Sequence, residues 1–152
     1  MTATGWCVSR SPTAARLALS LMIHDAPEET RIRVLIADDD TAFLGSLQEL
    51  IERQPELVVI GTAADGLEAI ELTDALGPDA VVLDLHMPRL DGVTAAARLR
   101  HDHPSLCLIA LTGDEEPALH EAVREAGADD VLLKSRLIEG LVERLAAARS
   151  SR

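Results

Sequence analysis

The sequence predicts an α/β fold, a doubly wound parallel sheet of five strands with helices on both faces. Two observations predict it. Five short apolar runs recur roughly every 22 to 27 residues and are continuous rather than alternating, the pattern of strands buried on both faces. Stretches of helical periodicity lie between them, and Gly or Pro closes each stretch before the next run, as a helix C-terminus requires.

The first strand is read at Val34-Leu35-Ile36-Ala37, and the helix after it carries Phe43, Leu47, Leu50 and Ile51 on one face and stops before Pro55. Leu57-Val58-Val59-Ile60 is the second strand, with Gly77-Pro78 ending the helical stretch that follows. The third is Ala80-Val81-Val82-Leu83, and Pro104 precedes the fourth, Leu106-Cys107-Leu108-Ile109-Ala110-Leu111. Leu119, Ala122, Val123 and Ala126 then line a helix closed by Gly127. Val131-Leu132-Leu133 is the fifth strand, followed by a helix with Ile138, Leu141, Val142 and Leu145 on one face. Five strand–helix units in a row require parallel strands and right-handed crossovers.

The 152 residues suit one domain. Residues 31–149 are assigned to it, with 150–152 as a tail. Residues 1–30 mix Ser, Thr, Ala, Pro and Gly before Asp25-Ala26-Pro27-Glu28-Glu29 and are read as a disordered N-terminal extension; translation from Met22 is the alternative. No apolar run approaches the roughly 18 residues of a membrane helix, and no signal peptide is evident. A formal charge of -12 repels nucleic-acid phosphates, and the only aromatics, Trp6 and Phe43, offer no stacking platform. Direct binding to nucleic acid or membrane is therefore not expected. Cys7 and Cys107 make neither a disulfide framework nor a cysteine metal site, which fits a reducing, cytoplasmic setting.

Ligands of such sheets bind beyond the carboxyl ends of the strands. Those ends carry Asp38-Asp39-Asp40, Asp84, Thr112-Gly113 and Lys134, the only lysine in the chain. If the first and third strands are neighbours, Asp38, Asp39 and Asp84 come within about 5 Å of one another, and each pair repels by roughly 3 kcal/mol at an effective dielectric of about 20. A divalent cation relieves this. All-oxygen ligands select a hard ion, and two or three carboxylates with open positions suit Mg²⁺. A hard cation, a hydroxyl and an ammonium converging on Asp84 make a phosphoryl site in which Asp84 attacks in line to give an aspartyl phosphate.

Val34 through Asp39, Val82-Leu83-Asp84-Leu85-His86-Met87-Pro88 with Asp91-Gly92, Ala110-Leu111-Thr112-Gly113 and Gly127 through Lys134 together resemble the receiver domain of two-component response regulators, over residues 32 to 148. The segments Asp38 to Phe43 and Ala63 to Gly66 are similar to receivers of the LuxR/NarL type. The resemblance implies a flavodoxin-like strand order 2-1-3-4-5. It also implies that Asp84 accepts phosphate from a histidine kinase or phosphotransfer protein, and that the domain signals to a downstream protein, with a homodimer on phosphorylation left open. Asp39, Asp84 and the main-chain carbonyl of His86 would bind Mg²⁺, with Asp38 acting through metal-bound water. Thr112 and Lys134 would contact the phosphoryl oxygens, and Gly113 would leave the site open.

Three departures from the family stand out. Val131 replaces an aromatic residue that couples to phosphorylation in many members, so the response is expected to stay near the site. Ser135 replaces the frequent proline after the lysine, so the usual cis peptide is not expected. Only 18 residues follow Lys134, too few for a helix-turn-helix output domain.

Simpler roles fit the other polar residues. Asp40, Asp91 and Asp114 read as helix caps, with Asp114-Glu115-Glu116 in a first turn. His86 lacks a second histidine or cysteine partner, so its ring reads as a solvent-facing modulator of phosphate lifetime. His101, His103 and His120 read as surface residues. A receiver-like binding module that works without phosphorylation is the competing function, supported by Val131. A haloacid dehalogenase-type enzyme needs Thr or Val where Ala42 stands, and a flavodoxin needs a hydroxyl-rich loop where the acids are.

Overall fold

The computed structural model describes residues 30–150. Of the expected N-terminal extension only Thr30 is included; the start at Met22, Cys7 and Trp6 lie outside the described residues, as do residues 151–152. One parallel sheet has the strand order β2-β1-β3-β4-β5, as expected. Its strands are β1 (Ile32–Ala37), β2 (Leu57–Ala63), β3 (Ala80–Asp84), β4 (Cys107–Thr112) and β5 (Asp130–Leu133). The helices are α1 (Thr41–Glu52), α2 (Gly66–Leu76), α3 (Gly92–Asp102), α4 (Pro117–Ala126) and α5 (Leu137–Ser150), with a 3₁₀ turn at Lys134–Arg136 joining β5 to α5.

Continuous apolar strands feed two cores. Leu35, Val81, Leu83 and Leu108 face α2, α3 and α4, where they pack with Ile70, Leu99 and Val123. Val34, Ile36, Val82, Ile109 and Leu111 face α1 and α5 and pack with Leu47, Ile51, Leu141 and Leu145. Successive strand residues alternate between these faces, so a half-polar strand would leave one core open. Edge strand β2 is more exposed and carries one unpaired residue, Ile60, where the register to β1 shifts between Val34 and Leu35.

The helices form where their periodicity places them, with local differences. In α1 the buried stripe is Leu44, Leu47 and Ile51, and Phe43 and Leu50 flank it half-buried. In α4 only Val123 is fully buried. Gly77 ends α2 in the left-handed region at φ 58°, which favours a residue without Cβ. The reading of Asp114-Glu115-Glu116 as a first turn is corrected: α4 begins at Pro117, and Asp114 accepts a hydrogen bond from the Glu116 N–H within the preceding loop. Proline suits the first helical position, where no N–H partner is needed, and this moves the start three residues on. Among the described residues no helix is long and apolar enough to cross a membrane, and no peptide bond is cis.

Candidate functional site

Three strand ends converge. Asp38 follows β1 and is fully buried, held by its N–H to the Ala63 carbonyl at 3.0 Å. Asp84 closes β3 and is 2% exposed. Pairing of β1 with β3 sets these residues side by side, and one carboxylate oxygen from each of Asp38, Asp39 and Asp84 lies within 4.8 Å of the others. Strand alternation puts Asp38 and Asp84 on the α1/α5 side. Thr112, at the end of β4 and fully buried, has the parity of the α2–α4 side.

Lys134 reaches this cluster from the 3₁₀ turn after β5. Its Nζ donates to Asp38 Oδ2 at 2.7 Å and lies 3.5 Å from Asp84 Oδ1. It also stands over the Phe43 ring, 4.5 Å from the centroid. Burial, and then the neighbouring Asp38 charge, push the Asp84 carboxyl above its ordinary range, and Lys134 offsets only part of this. Desolvation works against the Lys134 ammonium, yet the hydrogen bond to Asp38 and the Asp84 charge outweigh it and hold the group above its usual value. One ammonium thus pairs with the two buried carboxylates of a three-carboxylate cluster. An all-oxygen donor set with surplus negative charge fits a hard divalent cation.

The loop between β3 and α3 is tightly held. The Leu85 N–H donates to the Leu111 carbonyl at 2.9 Å, extending the sheet one residue past Asp84, and the Gly92 N–H donates to the Leu85 carbonyl at 3.1 Å. A Cβ on Gly92 would stand 2.4 Å from the Leu85 Cα, so only glycine lets α3 start this close to the strand end. Asp91 caps α3 through the Thr94 N–H, and Asp40 caps α1 through those of Ala42 and Phe43, as expected. His86 is exposed, and its N–H points at Asp84 Oδ1 at 3.4 Å. Gly113 is exposed with open space where a Cβ would be.

Sequence reasoning missed two features. Asp65 caps α2 through the Glu68 N–H and accepts both Nε and Nη2 of Arg89, at 2.9 and 3.1 Å, pinning the β3–α3 loop at a residue whose φ is 69°. The Arg89 guanidinium holds the Asp65 carboxyl below its ordinary range. The spacing Asp65-x-x-Glu68 signals the cap, but nothing local signals a partner 24 residues away. The second feature runs through the β4–α4 loop: Thr112 Oγ1 accepts the Asp114 N–H at 2.9 Å, and the Asp114 carbonyl meets His120 Nε2 at 2.7 Å. His120 is thus half-buried and bonded. His103 is likewise bonded to Asp74, and the exposed His101 ring meets Asp102. On the adjacent face Val131 is buried, and Asp130 joins Arg124 of α4 to Arg144 of α5.

Residues 34–146 match the family model for the response regulator receiver domain. Response regulator MprA of Mycobacterium sp. (strain KMS) is 39% identical over 116 residues, covering 76% of this chain and 50% of that protein. A protein-glutamate methylesterase/protein-glutamine glutaminase of Methanospirillum hungatei is 36% identical over 115 residues, 74% of this chain and 33% of that protein. The chain thus spans a third to a half of the length of these curated relatives. Among solved structures, the receiver domain of NarL from Mycobacterium tuberculosis superposes with a TM-score of 0.75 at 29% identity, over 80% of this chain and 98% of that one. The response regulator domain of Thermotoga maritima CheB gives 0.73 at 30%, over 79% and 97%.

Proposed function

The chain belongs to the response regulator receiver domain family, whose role is phosphorylation-dependent signalling, and on that premise we propose that Asp84 is its phosphoacceptor. The observation that carries this is the position of Lys134, whose ammonium stands between the buried carboxylates of Asp38 and Asp84. A carboxylate oxygen of Asp84 attacks the phosphorus of a phosphohistidine. The new O–P bond forms as the P–N bond breaks, and the departing imidazole takes a proton from solvent. Lys134 neutralises charge on the phosphoryl oxygens, and the Thr112 hydroxyl, once turned from the loop, donates to another.

Mg²⁺ is the cofactor this donor set suits. Asp39, Asp84 and the main-chain carbonyl of His86 would hold it, with Asp38 acting through a bound water. When bound, it supplies positive charge to the transferring phosphoryl group. The exposed His86 side chain modulates phosphate lifetime, and Gly113 keeps the approach open. Residues 31–149 constitute the receiver, which catalyses only its own phosphorylation and dephosphorylation.

The phosphodonor is a sensor histidine kinase or phosphotransfer protein, and the output is contact with a downstream protein or with a second copy of the chain. The acidic surface disfavours nucleic acid, and a kinase donor places the chain in the cytoplasm. A binding module independent of phosphorylation is the second reading, and buried Val131 favours it because no ring is present to report on the site. Incubation with acetyl phosphate and Mg²⁺, with Asp84→Asn as the control, separates the two readings.

A further inference from the structure

We propose that Phe43 is a positioning residue for Lys134, its ring forming the fourth side of a closed circuit that holds the ammonium between Asp38 and Asp84. The inference rests on the phosphoacceptor reading for its consequence, but its geometry stands independently. Lys134 Nζ donates to Asp38 Oδ2 at 2.7 Å. Asp38 Oδ1 accepts the Asp40 N–H at 2.9 Å. Asp40 Oδ1 in turn accepts the Phe43 N–H at 3.1 Å, and the Phe43 ring lies under Lys134 Nζ at 4.5 Å. The cap that starts α1 is therefore also what aims the ring.

The chemistry favours such a device. Lys134 stands on a short 3₁₀ turn, its side chain is 27% exposed, and its stem has four rotatable bonds. Two carboxylates attract the ammonium without fixing its height above the site. An aromatic face attracts the same charge without giving it a competing anion. Leucine could fill the volume but has no negative face. Phe43 is half-buried against the α1/α5 core, which fixes the ring plane.

Lys134 is the only lysine in the chain, so ¹³C-lysine labelling of the full-length protein gives one side-chain signal set. The Hε and Cε resonances should be shifted upfield by the ring current in the wild type and in Phe43→Tyr, and should return to ordinary lysine positions in Phe43→Leu. Initial phosphorylation by acetyl phosphate at saturating Mg²⁺ should slow about three- to tenfold in Phe43→Leu, as expected for losing a cation–π contact at a partly exposed site. Phe43→Tyr should restore it, and the half-saturating Mg²⁺ concentration should move little. Unchanged lysine shifts in a folded Phe43→Leu protein overturn the positioning claim. So does a wild-type rate in that variant. If the wild type takes up no phosphate at Asp84, the phosphoacceptor reading fails instead, and ¹³C relaxation of Lys134 Cε decides the positioning claim: greater disorder in Phe43→Leu than in Phe43→Tyr is expected, and equal order overturns it.

Discussion

The ammonium of Lys134 lies 2.7 Å from Asp38 and 3.5 Å from Asp84, so its resting ion pair is with Asp38. The proposed phosphoacceptor is thereby approached by positive charge without being capped by it. Asp38 is fully buried, and removing its partner leaves a buried charge unpaired.

Replacing Lys134 by methionine should therefore destabilise the metal-free protein by about 1–3 kcal/mol, because the flank is partly open to solvent. Mg²⁺ should recover part of that loss by supplying the missing countercharge. Urea unfolding with and without Mg²⁺ measures both effects. Equal Mg²⁺ stabilisation of Asp39→Ala and wild type would place the cation elsewhere.

The raised Asp84 pKa carries a definite sign. Burial and the Asp38 charge make the folded state bind this proton more tightly than the unfolded chain does. Without metal, stability must fall as pH rises from the ordinary carboxylate range through the folded pKa, and the penalty is complete above it. Asp84→Asn should then be more stable than wild type at pH 7 in EDTA, with the advantage closing as the pH is lowered through the raised folded pKa toward the ordinary carboxylate value. Thermal melts from pH 4 to 8 would show this convergence, and a constant gap would contradict it.

Two glycine-to-alanine changes should have opposite signs. Gly92→Ala forces a Cβ to 2.4 Å from Leu85 Cα, so the start of α3 must shift; a loss of about 1–3 kcal/mol is expected, with slower phosphorylation of Asp84. Gly45 lies in α1 with nothing within 4 Å of the added methyl, and alanine there should stabilise by about 0.5–1 kcal/mol. Denaturant midpoints rank the two.

The switching response should be short-ranged. Thr112 can draw on the β4–α4 loop through Asp114 and, through the Asp114 carbonyl, on His120, so amide shifts on adding beryllofluoride, a phosphoryl mimic, should reach the first turns of α4. Val131 has no ring to swing into space that Thr112 vacates, and Asp130 remains tied to Arg124 and Arg144. Shifts across β5 and α5 as large as those at Asp84 would contradict this.

Much of this was legible in the chain because the signals are local. Strands buried on both faces must be apolar throughout, so β1, β3 and β4 stand out, and the acids, Thr112 and Lys134 occupy their ends. Strand order came from family resemblance, since periodicity names strands without pairing them. Contacts between distant segments left no pattern. Arg89 finds Asp65 only once α2 and the β3–α3 loop are side by side, and Phe43 reads simply as a core-facing residue until Lys134 arrives from β5. Acidic residues before a helix fit both its first turn and the loop ahead of Pro117, so the sequence pattern does not fix the start of α4.

Intact-mass measurement and peptide mapping after incubation with acetyl phosphate and Mg²⁺ test whether Asp84 is the phosphoacceptor. One phosphoryl group per chain is expected, carried by the peptide containing Asp84, and none on Asp84→Asn under the same conditions. Labelling of Asp84→Asn at the wild-type rate and stoichiometry would contradict this assignment.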